Sequence, residues 1–365
     1  MKRRTLLNFL PFSALALTQY AQAAPKDIAN SKIQRDKLNT PVVDAPYISA
    51  SQILHSLQQQ YLVPSATALL QAAQALEQSL AQGYSAKTWA RHQPLWVNTM
   101  LAWERLAAVA VGPLLERRSA RAIDFWPTRP AQIQRLLDNA SITTVQQLDT
   151  VGTTARGLPA LEWLLWRTQG SGHAAVYASL LAQQVAQESG MLLAGYQTLL
   201  PAQWNAGEAW RVYCEWFGQM VGGLDQLRIK KMVPDTRGKD SAPWVRGVSS
   251  HTADAWLAQA QGLQAFLVGS PTAQAATQAL LPDLPGSPVA GSLSSLLLGR
   301  GHLTQNQTLI EGTEAMLRTV QAARPDNQAS VRVAQAALTR VSALVNTLAG
   351  DVLAISLGFT DADGD

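Results

Sequence analysis

Apolar residues in this chain recur in steps of four and three, a spacing that fits one face of a helix. Ala334, Leu338, Val341, Val345, Leu348 and Val352 draw one such stripe. Trp210, Cys214, Phe217, Val221 and Leu224 draw a second, and Tyr177, Leu181, Val185, Leu192, Tyr196 and Leu199 a third. A half-buried strand would alternate with period two, and such alternation is nearly absent. Rows spaced by three and four are the ridges through which helices pack on helices. The expected fold class is therefore all-α, with long antiparallel helices in bundles. With 365 residues, 47% hydrophobic and 15% charged, the chain has material for a large core and is not expected to be disordered.

Helix-breaking and capping residues divide the pattern into segments. Helices are predicted over 48–83 with a kink at Pro64, 86–109, 129–138, 144–149, 158–167, 172–200, 205–232, 251–268, 273–280, 288–298, 304–323 and 328–357. Pro201 ends one long helix and Asn205 can cap the next. The expected organisation is an N-terminal bundle over 47–202 and a C-terminal bundle over 203–358. Residues 24–46 read as a flexible arm and 359–365 as an acidic tail.

The first 23 residues read as a secretory signal peptide. Lys2, Arg3 and Arg4 precede an apolar run from Leu6 to Leu17, and Ala21-Gln22-Ala23 is an A-x-A cleavage site. The arginine pair also fits a twin-arginine signal, so both export routes stay open. Removing this segment takes away three cations and no acid, so the net charge falls from +4 to +1. That excludes the dense basic surface a nucleic-acid binder needs. Two short basic runs, Glu116-Arg117-Arg118 and Arg228-Ile229-Lys230-Lys231, read as solvated helix flanks. No later run is long and apolar enough to span a membrane. One cysteine, Cys214, excludes an intrachain disulfide and a multi-cysteine metal site. It reads as a small buried hydrophobe, and no cysteine follows the signal for a lipid anchor. The expected location is the periplasm.

Standard catalytic signals are missing: no H-E-x-x-H, no G-x-S-x-G, no phosphate-binding glycine loop and no dinucleotide fingerprint occur. The stretch Arg156-Gly157-Leu158-Pro159-Ala160-Leu161-Glu162-Trp163-Leu164-Leu165-Trp166 reads as a helix start. Pro159 suits its first turn, and Glu162 would face the positive end of the helix dipole. His251 and Asp254 lie three apart on a predicted helix, which Ser249 or Ser250 would cap. Trp96 and Trp103 share a helix face, with Glu104 beside the second, and read first as core. Asp124 and Arg129 flank Trp126-Pro127 and suggest a local ion pair.

The stretch Gly157-Leu158-Pro159-Ala160-Leu161-Glu162 resembles the G-x-H-x-x-E signature of the imelysin family of bacterial envelope proteins. Asp124-Phe125-Trp126-Pro127-Thr128-Arg129 resembles a Phe-Trp/Tyr-Pro-x-Arg segment of one periplasmic branch. Leu357-Gly358-Phe359 through Asp363-Gly364-Asp365 resembles the family's L-G-F…D-G-D ending. The resemblance implies two facing helical bundles with a site between them, a role around iron acquisition and a disputed metallopeptidase label. Pro159 stands where the signature has histidine and offers no ligand atom. Glu162 alone cannot hold a transition metal, which takes three or four ligands. No stoichiometric zinc is expected, and Glu162 and Glu104 are only weak candidates for a cation.

Pockets form where domains meet and polar loop groups converge. The expected ligand site is a cleft between the bundles. Glu162, Asp124, Trp126 and Arg129 would come from one side, Trp244, Arg246, His251 and Asp254 from the other. Such a mixed-charge, tryptophan-walled cleft suits a small polar ligand or a chelated iron or other divalent cation. The favoured reading is a non-catalytic binding protein of metal nutrient uptake. The alternatives are a structural or partner-docking envelope protein and, behind it, a metallopeptidase.

Overall fold

The computed structural model describes residues 48–83, 88–170, 172–200, 202–236, 242–270 and 291–355. The signal segment, the arm, the helix expected at 273–280, the start of that at 288–298 and the acidic tail lie outside the described residues. So does the L-G-F…D-G-D ending.

The described chain is all-α, and its 13 α-helices are joined by short 3₁₀ and π turns. The first part holds α1 (Ala50–Leu57), α2 (Val63–Ala81) and α3 (Gln93–Leu106). Two short helices follow, α4 (Pro113–Glu116) and α5 (Ser119–Ile123), then α6 (Pro130–Asn139), α7 (Gly157–Arg167) and α8 (His173–Leu199). The second part holds α9 (Ala206–Asp225), α10 (Thr252–Leu267), α11 (Leu293–Gly299), α12 (Leu303–Ala322) and α13 (Gln328–Thr347).

The helices start where side chains satisfy free N–H groups. Ser49 caps α1, Asn205 caps α9 and Ser292 caps α11, each in a reciprocal capping box. The helix expected over 48–83 is interrupted before Pro64 by a π turn at Gln58–Leu62. A proline lacks the N–H that an α-helical ladder needs there. Neither α4 nor α5 was expected, because four- and five-residue helices leave no periodic signal.

Packing runs chiefly between α2 and α8, α2 and α3, α12 and α13, α3 and α10, α10 and α12, and α7 and α8. Helix α1 lies against α9, and α3 packs along α10. The seam between α3 and α10 depends on Gly262, since a Cβ there would lie 2.3 Å from the Arg105 carbonyl oxygen. The C-terminal stripe is buried as its spacing predicts, from Ala334 to Leu348. The α9 stripe is buried in its second half, at Phe217, Val221 and Leu224, and broadens toward its start. Tyr213, Trp216 and Met220 are buried, while Trp210 and Cys214 are only half-buried. Trp210 stacks on Tyr213 and lies under the Arg300 guanidinium, 4.8 Å away. Burial pushes the Cys214 thiol up, away from reactivity.

Candidate functional site

Four segments converge on one guanidinium. Glu104 lies on the buried face of α3, and Asp124 follows the last residue of α5. Glu162 sits on α7, and Arg246 comes from the turn-rich segment 244–250 before α10. Gly157 makes the α7 start possible. Its φ is +68°, and a Cβ there would fall 2.3 Å from the Ile123 carbonyl oxygen. The chain just before Asp124 and the chain entering α7 therefore touch backbone to backbone. The 244–250 segment braces itself: the Gly247 amide donates to Trp244 O at 2.9 Å and the His251 amide to Arg246 O at 3.1 Å. Thr252 Oγ1 donates to Val245 O at 2.8 Å.

Arg246 is 1% exposed. Its Nη2 donates to Glu104 Oε1 at 2.9 Å. The same nitrogen lies 2.7 Å from Asp124 Oδ1, an ion pair without hydrogen-bond alignment. Its guanidinium also stands over the Trp96 ring, 5.8 Å from the centroid. Nη1 is buried without an acceptor. Glu104 holds a second cation, since Lys231 Nζ donates to its Oε2. Asp124 Oδ2 accepts from Trp103 Nε1 at 2.8 Å. Glu162 Oε1 accepts from the Ser249 amide at 2.8 Å and from Ser249 Oγ at 2.6 Å.

These partners divide the acids by charge state. Burial raises the Asp124 carboxyl, but the positive charges of Arg246 and Lys231 and the Trp103 hydrogen bond outweigh it and hold the group below the ordinary range. For Glu162 burial wins over the attraction of Arg246 and the two Ser249 bonds, so its carboxyl is pushed up. Burial opposes the charge on Arg246, yet Asp124, Glu104 and Glu162 together drive its pKa further upward. The cluster is a buried guanidinium shared among acids, and Glu162 is the member its cations neutralise least.

Several local readings are corrected by this geometry. Asp124 pairs with Arg246 and not with Arg129, which is exposed and makes none of these contacts. Ser249 does not cap α10, because it is committed to Glu162, and His251 stands at the cap position without a side-chain capping bond. The helix begins at Gly157, so Glu162 lies beyond its first turn and is held by Ser249 rather than by the dipole. Lys231 is no solvated flank, since its side chain is 12% exposed and bound to Glu104. Arg117 is likewise tied, to Glu188. Lys231 and Ser249 left no motif: a single lysine and a single serine carry no signal until the fold brings them to an acid.

The remaining residues lie around this centre. Trp126, Pro159, Glu162, Trp163 and Trp244 border a cavity of about 50 Å³, room for little more than a water or two. Trp244 also walls a groove of about 630 Å³, which includes Asp254, Arg324 and Asp326. His251 Nδ1 and Asp254 Oδ2 are 2.7 Å apart, with the His251 ring edge-on to Trp166 at 6.4 Å. Trp96 and Trp103 are core residues, and the Trp96 Nε1 donates to Leu158 O at 2.9 Å.

The donor set does not fit a catalytic transition metal. Pro159 supplies no ligand, Glu162 Oε1 already accepts two bonds, and a guanidinium occupies the place where Glu104 and Asp124 converge. No group of three His, Cys, Asp or Glu with metal-holding geometry occurs among the described residues. No described helix is long and apolar enough to cross a membrane.

The fold is similar to two solved structures. An imelysin-like protein from Psychrobacter arcticum superposes with a TM-score of 0.64 at 15% identity, covering 87% of this chain and 100% of that one. A candidate iron-regulated protein A precursor from Parabacteroides distasonis gives 0.67 at 12% identity, covering 86% and 98%. No curated protein matches the sequence. The family model described as Imelysin matches residues 62–352, most of the chain that folds around the Arg246 centre. The chain belongs to the imelysin family.

Proposed function

We propose that this chain is an exported, non-catalytic periplasmic binding protein of iron or other metal nutrient uptake, and that it takes a small polar ligand or a chelated metal rather than a bare ion. The observation that carries this reading is Arg246. A fixed positive charge stands buried where Glu104 and Asp124 meet, so a bare cation would have to displace it. A preformed chelate brings its own oxygen ligands and needs only a polar wall. The groove beyond Trp244, lined by Asp254, Arg324 and Asp326, offers one. Family membership supports the link to iron, and so does the name of the Parabacteroides neighbour, an iron-regulated precursor. The word precursor, with Lys2 to Ala23 here, supports export.

The test is thermal unfolding of the purified chain with ferric citrate, citrate alone and zinc. Ferric citrate should raise the melting temperature, citrate alone should raise it less, and Trp244→Ala should abolish the difference. No shift with ferric citrate overturns the binding role. Elemental analysis finding one zinc per chain, lost on Glu162→Ala, would restore the metallopeptidase reading. Mass spectrometry of periplasmic protein should find a mature terminus at Ala24 or Pro25.

A further inference from the structure

We propose that the cavity at Glu162 binds the protonated head of a small primary alkylamine. In the buried centre Glu104, Asp124 and Glu162 face two cations, Arg246 and Lys231. Both cations are taken by the other two acids: Lys231 Nζ donates to Glu104, and Arg246 lies against Glu104 and Asp124. Glu162 is left with neutral donors, the Ser249 amide and hydroxyl, and both meet its Oε1. Its Oε2 makes no hydrogen bond and is not sealed off, and Glu162, 4% exposed, lines the cavity. A carboxylate this buried needs a positive partner or gives up its charge.

The lining selects the class of cation. Trp126, Trp163 and Trp244 border the cavity together with Pro159. Their side chains offer a metal no lone pair, whereas indole rings attract organic cations. Besides Glu162, Thr128 brings the only side-chain oxygen among the lining residues. Two oxygens do not complete a metal's shell. They do suit an ammonium head, which donates up to three N–H bonds and needs no shell. Size narrows the class further. A cavity of about 50 Å³ admits an –NH₃⁺ group, close to a water in bulk, and has no room for a quaternary ammonium. The three indoles are only half-buried, so an apolar wall continues outward and can cover a short alkyl chain.

The one cation along the lining does not compete. Arg167 is exposed and makes no ion pair with Glu162, so solvent screens it. Elsewhere a buried acid is already met. A separate groove of about 420 Å³, running past Arg117 and Arg156, shares no lining residue with the cavity. There Arg117 Nε and Nη2 donate to the two oxygens of Glu188 at 2.9 Å each, and Ser119 Oγ adds a bond at 2.6 Å. Glu188 has the ionic partner that Glu162 lacks.

The test is calorimetric titration of the full chain, at constant ionic strength, with butylammonium, tetramethylammonium and sodium chlorides. The pH is set just below the ordinary lysine range, to ionise Glu162 and keep butylamine protonated. Butylammonium should bind, and neither tetramethylammonium nor sodium measurably. Glu162→Gln keeps an oxygen for Ser249 and should weaken butylammonium about tenfold, as loss of one charged hydrogen bond does. Trp126→Leu leaves the Ser249 bonds alone and should weaken it about threefold, so the test survives if Glu162→Gln disturbs the fold. Millimolar butylammonium without binding, equal affinity for tetramethylammonium or sodium, or affinity unchanged in either variant would overturn the proposal. Nα-acetyl-lysinamide carries the same head on a peptide body. Tighter binding of it than of butylammonium would overturn the small-molecule ligand in favour of a partner's lysine. Trp244 stays unaltered because it also walls the groove assigned to the chelate, so the outcome is independent of ferric citrate binding.

Discussion

Around Arg246 the acids outnumber the base that faces them; along the groove at Arg156 the bases outnumber the acids. Both regions hang from the same two stretches of chain. Arg117, Arg118 and Arg121 line the groove and their segment runs on to Asp124, while Arg156 lines it and leads through Gly157 to Glu162. The difference is burial. In the centre every charge is out of water, so each needs a partner inside the protein, and the ions there hold the fold together. Along the groove the acids are met unevenly: Arg117 grips Glu188 through two hydrogen bonds, while Asp149 stays exposed 3.7 Å from Arg156. The same residue types are enclosed in one place and left partly in water in the other.

That contrast can be broken most severely at its centre. Arg246→Ala leaves Glu104 and Asp124 buried with one fewer cation, and should cost about 3–5 kcal/mol in a urea unfolding series. A loss below 1 kcal/mol, on the order of an exposed pair, would mean the centre is as wet as the groove. Gly157→Ala strikes the link between the regions. With a φ of +68° and the Ile123 oxygen in the way, it should cost about 2–3 kcal/mol by the same measurement.

Ser249→Ala should cost about 1–2 kcal/mol, because Glu162 keeps the amide bond and loses the hydroxyl. The pH dependence separates the acids. Asp124 is depressed in the fold, so its contribution is present above the ordinary aspartate range and is lost as pH falls through its folded value. Glu162 is raised, so its contribution is present below the ordinary glutamate range and is lost as pH rises through its folded value. Unfolding midpoints of Glu162→Gln should therefore gain on the parent chain as pH climbs above the glutamate range. A constant difference would show that Glu162 is not raised. The smallest effect belongs to the groove. Arg118→Gly should stabilise by about 1 kcal/mol, since glycine accepts the left-handed backbone freely.

Most helices were legible because their apolar rows are regular. The stretch from Ala334 to Leu348 shows it, and the expected 251–268 matches Thr252–Leu267 within a residue at each end. Helix α9 was legible in extent and only partly in face: Phe217, Val221 and Leu224 are buried as expected, Trp210 and Cys214 only half-buried. Trp210, Val212, Tyr213, Trp216 and Phe217 surround its start with apolar groups, so the sequence does not single out which of them go inside. The site was legible in its acids. Glu104, Asp124 and Glu162 were candidates, and Arg246 was named with the last two. Its meaning was not legible, since a pairing such as Arg246 with Glu104 spans 142 positions and no local spacing encodes it. Arg129 shows the opposite error: proximity in sequence suggested a partner for Asp124 that the fold replaces with Arg246.

Gly262 carries a consequence for how freely such a chain can vary. Where two helices meet through interlocking side chains, each exchange on one must be answered on the other. Where they meet at a bare backbone, as α10 does against the Arg105 carbonyl, the separation of their axes is fixed by the lack of a side chain. Residues up and down either helix can then drift in size without moving the seam. One position becomes intolerant, and the rest of the interface is released from mutual constraint.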